Sequence, residues 1–334
     1  MSRRAEKIPG GSTALERQAQ RRKIGALSRQ VIQDKTRNRY HQMFQRFRRF
    51  HRWAEDFSVP APEEFDMQVS QFVEHLWETG APKSDASYAL AAIQFHRPQT
   101  KHHLTWSWKL VKTWNHIELP TRATPLTAAW TLALAGQAFK WQQYRVGWLL
   151  IVGFSLFLRT GEMVNLQKKD VSLPQSSKEE AVVYLTDTKT TKRNSLPLES
   201  VLVDDQLARK ALTELTKGLL PGDTLGQMTN SQFRRLWADL LAALKINSCG
   251  FTPYSLRRGG ATSAYRQGVQ LDTLVTKGRW SHLSSCRIYL DQGAQALAEF
   301  SLPAASQPLL LAAQKHFKTV SQGGTRGMGA KRKR

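Results

Sequence analysis

Cysteine is nearly absent from this sequence. Cys249 and Cys286 are the only two in 334 residues, too few for a disulfide framework and suited to a reducing compartment. Long apolar runs are missing too. The longest, WLLIVGFSLFL at 148–158, has 11 residues, whereas a membrane span needs about 20. It reads as a buried core helix, and no membrane partner is expected. The opening MSRRAEKIPGG leads into further charge, so no secretory signal is expected and the protein is read as intracellular. No Asp, Glu and His cluster has metal-ligand spacing, and no glycine-rich nucleotide loop is present. Neither a metal nor a cofactor is therefore expected, and chemistry built on carboxylate-held ions is disfavoured. Acid is scarce as well, with 26 Asp and Glu against 49 Lys and Arg and a formal net charge of +23.

An excess of that size points to a polyanion, most often nucleic acid. Its distribution says more than its total. Residues 1–50 hold 14 Lys and Arg against 3 acids, and residues 315–334 hold 7 against none. The middle, 51–314, holds 28 against 23 and is only +5. The ends read as phosphate-seeking tails, and a further basic cluster lies at 251–290, with six Lys and Arg against one Asp. The final KRKR at 331–334 reads equally as a basic tail or as a nuclear import signal, which would place the protein in the nucleus if its source is eukaryotic.

Residues 1–30 lack apolar periodicity and are expected to be mostly disordered, although ALERQAQRRKIGAL is able to form a helix on a partner. A long helix is predicted over 34–57, with Tyr40, Met43, Phe44, Phe47, Phe50 and Trp53 on one stripe. Arg37, Arg46 and Arg49, on its other faces, are candidate DNA contacts. Helices at about 65–79, 84–96 and 104–116 complete an all-helical unit, 31–118. Residues 119–126, with proline and threonine, read as a linker. A second unit, 127–302, opens with helices at 127–139 and 142–158. Then AVVYLTDT at 181–188 and NSLPL at 194–198 read as strands joined by the turn KTTKR, and DVSLP at 170–174 supplies a third candidate. Helices are predicted at 204–217, 230–245, 255–267, 270–278 and 284–299. Residues 303–334 read as a C-terminal segment with a basic tail. The fold class is mainly α with a small antiparallel sheet: an all-helical unit followed by an α+β unit.

Four places carry residues of chemical interest. Arg159 directly follows the apolar run, where a charge is costly to bury without a partner; the plain alternative is that it caps helix-end carbonyls. Lys189 sits on the strand turn DTKTTKRN, where most lysines are simply solvated. Arg257 opens a helix in TPYSLRRGGATSAYRQG, 252–268. Gly259 and Gly260 follow it and allow close approach of the backbone to another group. Trp280 and Tyr289 lie nine residues apart in GRWSHLSSCRIYLDQG, and a helical tyrosine is ordinarily core.

Taken in order, these motifs change the reading. Arg-x-x-Glu after a buried helix, Lys on a β-turn, Leu-Arg at a helix start, Gly-x-Trp and then Tyr nine residues on resemble the tyrosine recombinase (phage integrase) family. The resemblance spans about 34–300, and the wording LRRGGAT and GRWS looks like the versions carried by eukaryotic mobile elements. It implies a DNA breaking-and-rejoining enzyme that acts on double-stranded DNA as a homo-oligomer, a tetramer on synapsed sites. Tyr289 would be the nucleophile, forming a 3′-phosphotyrosyl link without metal or ATP. Arg159 and Arg257 would clamp the non-bridging oxygens, and Lys189 would protonate the leaving 5′-oxygen. Trp280 would donate its indole N–H to the phosphate or pack beside it, and Glu162 would buttress the arginines. Arg258 is expected to contact a backbone phosphate or to pair with Glu162, and Arg279 to contact DNA.

Elementary chemistry agrees with that assignment, since fixed guanidinium forks match the charge that develops on a phosphodiester under attack. One position departs from the family. Where it usually has His, three residues before the second arginine, this chain has Tyr254, and a phenol donates hydrogen bonds more readily than it shuttles protons. Tyr254 thus favours a rival reading, a catalytically inactive, domesticated DNA-binding protein. A basic RNA- or chromatin-binding protein is opposed by the nearly neutral middle. A type IB topoisomerase would share the chemistry.

Overall fold

The computed structural model describes residues 12–52, 60–174, 180–185 and 199–323. They fall in two units that divide after Thr121. The architecture is mainly helical with one small antiparallel sheet, as the apolar periods predict.

In the first unit, α1 (Ala14–Ile24) has no buried residue and is closed at its start by a reciprocal bond pair between Thr13 and Glu16. This corrects the expectation of a disordered tail for these residues, because a capping box and a run of good helix formers suffice for a solvated helix. The unit's core lies among α2 (Asp34–Phe50), α3 (Pro62–Glu78), α4 (Lys83–His96) and α5 (Thr105–Ile117). Met43, Phe44 and Phe47 of α2 meet Phe65, Phe72, Leu90 and Ile93. The helix expected to reach residue 57 stops at Phe50, and Arg52 takes a left-handed φ of 55°; residues 53–57 lie outside the described residues. Asp66 on α3 accepts the N–H groups of Trp106 (2.7 Å) and Ser107 (3.0 Å), supplying the cap that α5 lacks locally.

The second unit takes up the chain earlier than the expected linker boundary at 126. Thr124 N–H donates to Gly250 O and Leu126 N–H to Ser255 O, and Leu126 is buried. Thr127 then caps α6 (Ala128–Lys140), which packs with α7 (Tyr144–Ser155). The apolar run continues beyond α7, but the helix does not. Phe157, at φ 50°, turns the chain while Leu156, Phe157 and Leu158 stay buried. Composition alone does not separate a buried turn from a buried helix. A short α8 (Thr160–Asn165) follows.

The sheet runs β1 (Val171–Ser172), β2 (Ala181–Leu185), β3 (Glu199–Val203), antiparallel throughout. Val183 stands opposite Val171 on one side and Val201 on the other. The strand read at 194–198 lies outside the described residues, as does 186–188. The strand that pairs with β2 is ESVLV, whose alternating burial the sequence reading passed over. The remaining helices are α9 (Gln206–Thr216), α10 (Asn230–Ala243), α11 (Ser255–Arg266), α12 (Leu271–Gly278), α13 (Leu283–Arg287), α14 (Gln292–Phe300) and α15 (Gln307–Gly323). The single helix expected over 284–299 is thus two, broken at 288–291.

Helix α15 was not foreseen. Its Leu310, Ala313 and Phe317 are buried against the second unit's core. Gly136 of α6 admits it: a Cβ there would lie 1.9 Å from Ala313 O. We expect Gly136→Ala to lower the unfolding free energy by about 1–3 kcal/mol, read from guanidinium chloride melts. An unchanged midpoint would show that α15 is not seated on α6.

Candidate active site

Two protein turns and one helix start create the site. The turn after α7 brings Arg159 to the N-cap of α8, where its backbone N–H donates to Glu162 Oε2 at 2.9 Å and its Nη1 pairs with Glu162 Oε1. Arg257, in the first turn of α11, is fully buried. Its Nη1 donates to Phe157 O (2.5 Å) and its Nη2 to Gly278 O (2.6 Å), so two separate turns hold one guanidinium. Gly259 and Gly260 make this depth possible. A Cβ at Gly259 would lie 2.1 Å from Leu126 O and one at Gly260 2.0 Å from Phe154 O. The glycines therefore serve close packing against protein backbone.

The second turn closes α12. Arg279 takes the left-handed conformation, φ 55° and ψ 45°, and the chain folds back so that Trp280 lies over Gly278. A Cβ at Gly278 would meet the Trp280 ring at 2.0 Å. Trp280 stacks on Phe157 with centroids 6.4 Å apart and lies 4.8 Å from the Tyr289 ring. The Arg257 guanidinium carbon is 4.8 Å from the Trp280 centroid and 5.1 Å from that of Tyr289.

Tyr289 lies in the turn after α13, which corrects its expected helical placement. Its N–H donates to Cys286 O, and its own carbonyl accepts from the buried Thr262 hydroxyl at 3.1 Å. The side chain is free to turn its hydroxyl outward, where Tyr254 Oη donates a hydrogen bond to it. Burial pushes the Tyr289 phenol up. The Tyr254 hydrogen bond and the charges of Arg257 and Arg159 outweigh that and leave it below the ordinary phenol range. Tyr254 moves the opposite way, raised by its own burial and by donating to Tyr289. Burial, with Arg159 and Arg279 nearby, lowers Arg257 to about 10, so it remains charged at neutral pH.

Glu162 sits at the centre of the positive groups. Burial raises its carboxyl, but Arg279 and Arg159 more than offset this and keep it ionised. Arg279 Nη2 reaches Glu162 Oε2 at 2.8 Å, and its Nε lies 3.6 Å from Glu199 Oε2. Among the described residues, Arg257 Nε and Arg279 Nη1 are buried without a hydrogen-bond partner, while Trp280 Nε1 lies near the Tyr289 hydroxyl and favours its ionised form. Unspent donors aimed into one cluster suit an anion.

With this geometry in view, the comparisons are informative. Residues 140–295 match the family model described as the phage integrase family. Over this segment the chain is similar to the phage integrase family. A search of curated proteins finds no match. Among solved structures, the Tn1549 transposon integrase in complex with transposon right end DNA aligns with TM-score 0.54 and 14% identity, covering 81% of this chain and 94% of that one. A lambda integrase dimer bound to a COC' core site aligns with TM-score 0.54 and 16% identity, covering 84% and 94%. The XerH site-specific recombinase bound to palindromic difH substrate aligns with TM-score 0.52 and 15% identity, covering 79% and 78%. These likenesses establish the fold, that of the tyrosine recombinases.

The integrase segment thus brings Arg159, Glu162, Tyr254, Arg257, Trp280 and Tyr289 together; Lys189 lies outside the described residues. Two expectations are corrected. Arg258 is buried and spent on Ala123 O, Ile288 O and Asp291 (3.2 Å), which leaves it neither a DNA phosphate nor Glu162 as partner. Arg279, expected as a DNA contact, has a side chain only 4% exposed and pairs with Glu162 and Glu199. On α2, Arg49 is exposed, Arg46 pairs with Asp85 at 3.3 Å, and Arg37 lies 3.6 Å from Asp34. Sequence reasoning missed Glu199 and Thr262, and took Gly278 only as the glycine of the Gly-x-Trp motif. Only Gly278 left a signal, a glycine two positions before a tryptophan that must fold back.

The two phenols provide a direct check. With ring-labelled tyrosine followed by NMR, Tyr289 should titrate below a free phenol and Tyr254 above it. Tyr254→Phe should raise the Tyr289 midpoint, because the phenolate loses its donor. A midpoint that stays put would assign the shift to the arginines alone.

Proposed function

We propose that this chain is a site-specific recombinase that cuts and rejoins double-stranded DNA through a 3′-phosphotyrosyl intermediate on Tyr289. The observation that carries the reading is the convergence of an outward tyrosine hydroxyl with buried, fixed guanidiniums and unspent N–H donors. The DNA named with the aligned integrases supports the choice of substrate.

In this reading Tyr289 Oη attacks the scissile phosphorus and the bond to the 5′-oxygen breaks. Lys189 gives that oxygen a proton, and the protein keeps a phosphodiester through its own tyrosine. The reverse attack by a 5′-hydroxyl rejoins DNA without ATP, since the link preserves the bond energy. Arg159 and Arg257 stabilise the charge that grows on the non-bridging oxygens. Arg257 gives one hydrogen of each Nη to a carbonyl, and its Nε and remaining hydrogens are left for the phosphate. Held by two turns, it needs no reorganisation during reaction, and such a fixed donor is worth about 10²–10³ in rate. Trp280 walls the site and adds its Nε1–H. Exchange of strands requires partners on both DNA duplexes, hence a homo-oligomer, a tetramer on synapsed sites, and the likeness to a transposon integrase supports a mobile-element role.

The test is adduct trapping. The full chain is incubated with a pool of nicked suicide duplexes of randomised sequence, stopped in SDS and sequenced from the protein-bound fraction. Wild type should yield an SDS-resistant adduct at a defined sequence. Tyr289→Phe should yield none while its DNA affinity stays within about twofold, since only the attacking oxygen is lost. Persistence of the adduct in that variant would move the nucleophile elsewhere, with Tyr265 the next candidate.

Lys189→Ala separates the leaving-group step. It should slow cleavage of ordinary DNA strongly and spare a substrate whose bridging 5′-oxygen is sulfur, because a thiolate leaves without protonation. Equal losses on both substrates would make Lys189 a phosphate contact only.

A further inference from the structure

Arg279 is the most unusual charge in the second unit. It is buried to 4% exposure in a left-handed backbone conformation that non-glycine residues seldom adopt. It sits between two carboxylates, at 2.8 Å from Glu162 and 3.6 Å from Glu199. Neither the family motifs nor the reaction just described uses it.

Its place in the charge balance suggests what it does. Glu162 faces Arg159 through Oε1 and Arg279 through Oε2, with Arg257 Nη1 4.0 Å away. Three guanidiniums and two carboxylates leave the cluster at +1, matched to one phosphodiester. Without Arg279 the cluster would be neutral. Glu162 would then draw its neutralising charge from Arg159 and Arg257, the two groups that must face the phosphate. Pairing is strong in such a dry place, and a carboxylate with one partner fewer holds the others harder.

We propose that Arg279 is a positioning residue that occupies Glu162 and Glu199, leaving Arg159 and Arg257 free for the scissile phosphate. The inference rests on the recombinase reading for its consequence but not for its geometry. It touches no DNA; it sets how much of the arginine clamp the protein's own carboxylate consumes. It also ties the start of β3, through Glu199, to the start of α8.

The sign of a double substitution tests this. Arg279→Met should slow adduct formation on the trapped substrate by about tenfold or more, on the scale of losing part of a fixed donor. Adding Glu162→Gln removes the competing charge while its amide oxygen still caps α8. The double variant should therefore recover to within about threefold of Glu162→Gln alone, a non-additive outcome expected of coupled neighbours. A double variant slower than either single one would overturn the proposal and leave Arg279 as scaffolding. A second readout requires no turnover. Phenylglyoxal labelling of Arg159, which is 25% exposed, is read by mass spectrometry on the full chain without DNA. Labelling should be slower in Arg279→Met and return in the double variant; an unchanged rate in Arg279→Met also overturns the proposal. Should Arg279→Met fail to fold, Arg279→Lys keeps the charge and should label at Arg159 within about twofold of wild type, because a lysine pairs with the same carboxylates; slower labelling there sinks the idea. If wild type forms no adduct, the recombinase reading fails, while the labelling still decides the role of Arg279.

Discussion

One carboxylate makes the rest of this site possible. Glu162 lies at 5% exposure within reach of three guanidiniums. Burying an ion costs several kcal/mol even after relaxation, and like charges at this spacing add to it. Without Glu162, Arg159, Arg257 and Arg279 would not share one dry pocket. With it, each arginine keeps a fixed direction, and the remaining charge is positive and small. The elements then follow from the need to reach this point. The chain must leave α7 early to deliver Arg159, begin α11 deep in the core to deliver Arg257, and reverse sharply after α12 to deliver Arg279 and Trp280.

That convergence is a packing problem before it is a chemical one. Three glycines mark contacts too close for a Cβ, two against backbone and one under a ring. Gly259 meets Leu126 O, Gly260 meets Phe154 O, and Gly278 lies under the Trp280 ring. The carbonyls released by these tight turns are not wasted. Phe157 O and Gly278 O are helix-end or turn acceptors with no internal partner, and Arg257 satisfies both. The same guanidinium thus closes two turns and, on the recombinase reading, keeps its remaining donors for a phosphate. Stability and site geometry rest here on one side chain, so a change at Arg257 would alter both.

The sequence made the outline of this site legible because its residues sit at short, countable spacings along helix starts and turns. The helices of the first unit were readable from apolar stripes, since tertiary burial and helical period coincide there. Legibility failed where a long-range contact overrides local pattern. The apolar run 148–158 looks helical throughout, yet Phe157 O is required by Arg257, a hundred residues away, and the helix yields. Tyr289 sits in a helical pattern, but Thr262 holds its carbonyl and the chain breaks there. Arg258 and Arg279 looked like surface bases. Nothing local in the sequence shows that Asp291, Glu162 and Glu199 will meet them.

Tyr254 is where this chain departs from the family it resembles, and the geometry alters what that departure means. A histidine there could accept the nucleophile's proton. Tyr254 does the reverse: it donates its own proton to the Tyr289 oxygen, and its pKa is raised by doing so. In this arrangement Tyr254 acts as a donor to Tyr289 rather than as an acceptor of its proton. What it can do is hold the hydroxyl and favour the phenolate once the proton has gone, the same service that Arg257 gives from beneath the ring. The lost base is offset by a weaker demand for one, since Tyr289 ionises more readily than an ordinary tyrosine. On the recombinase reading, the substitution is a different division of labour: Tyr254 supplies a hydrogen bond to the Tyr289 oxygen in place of a base.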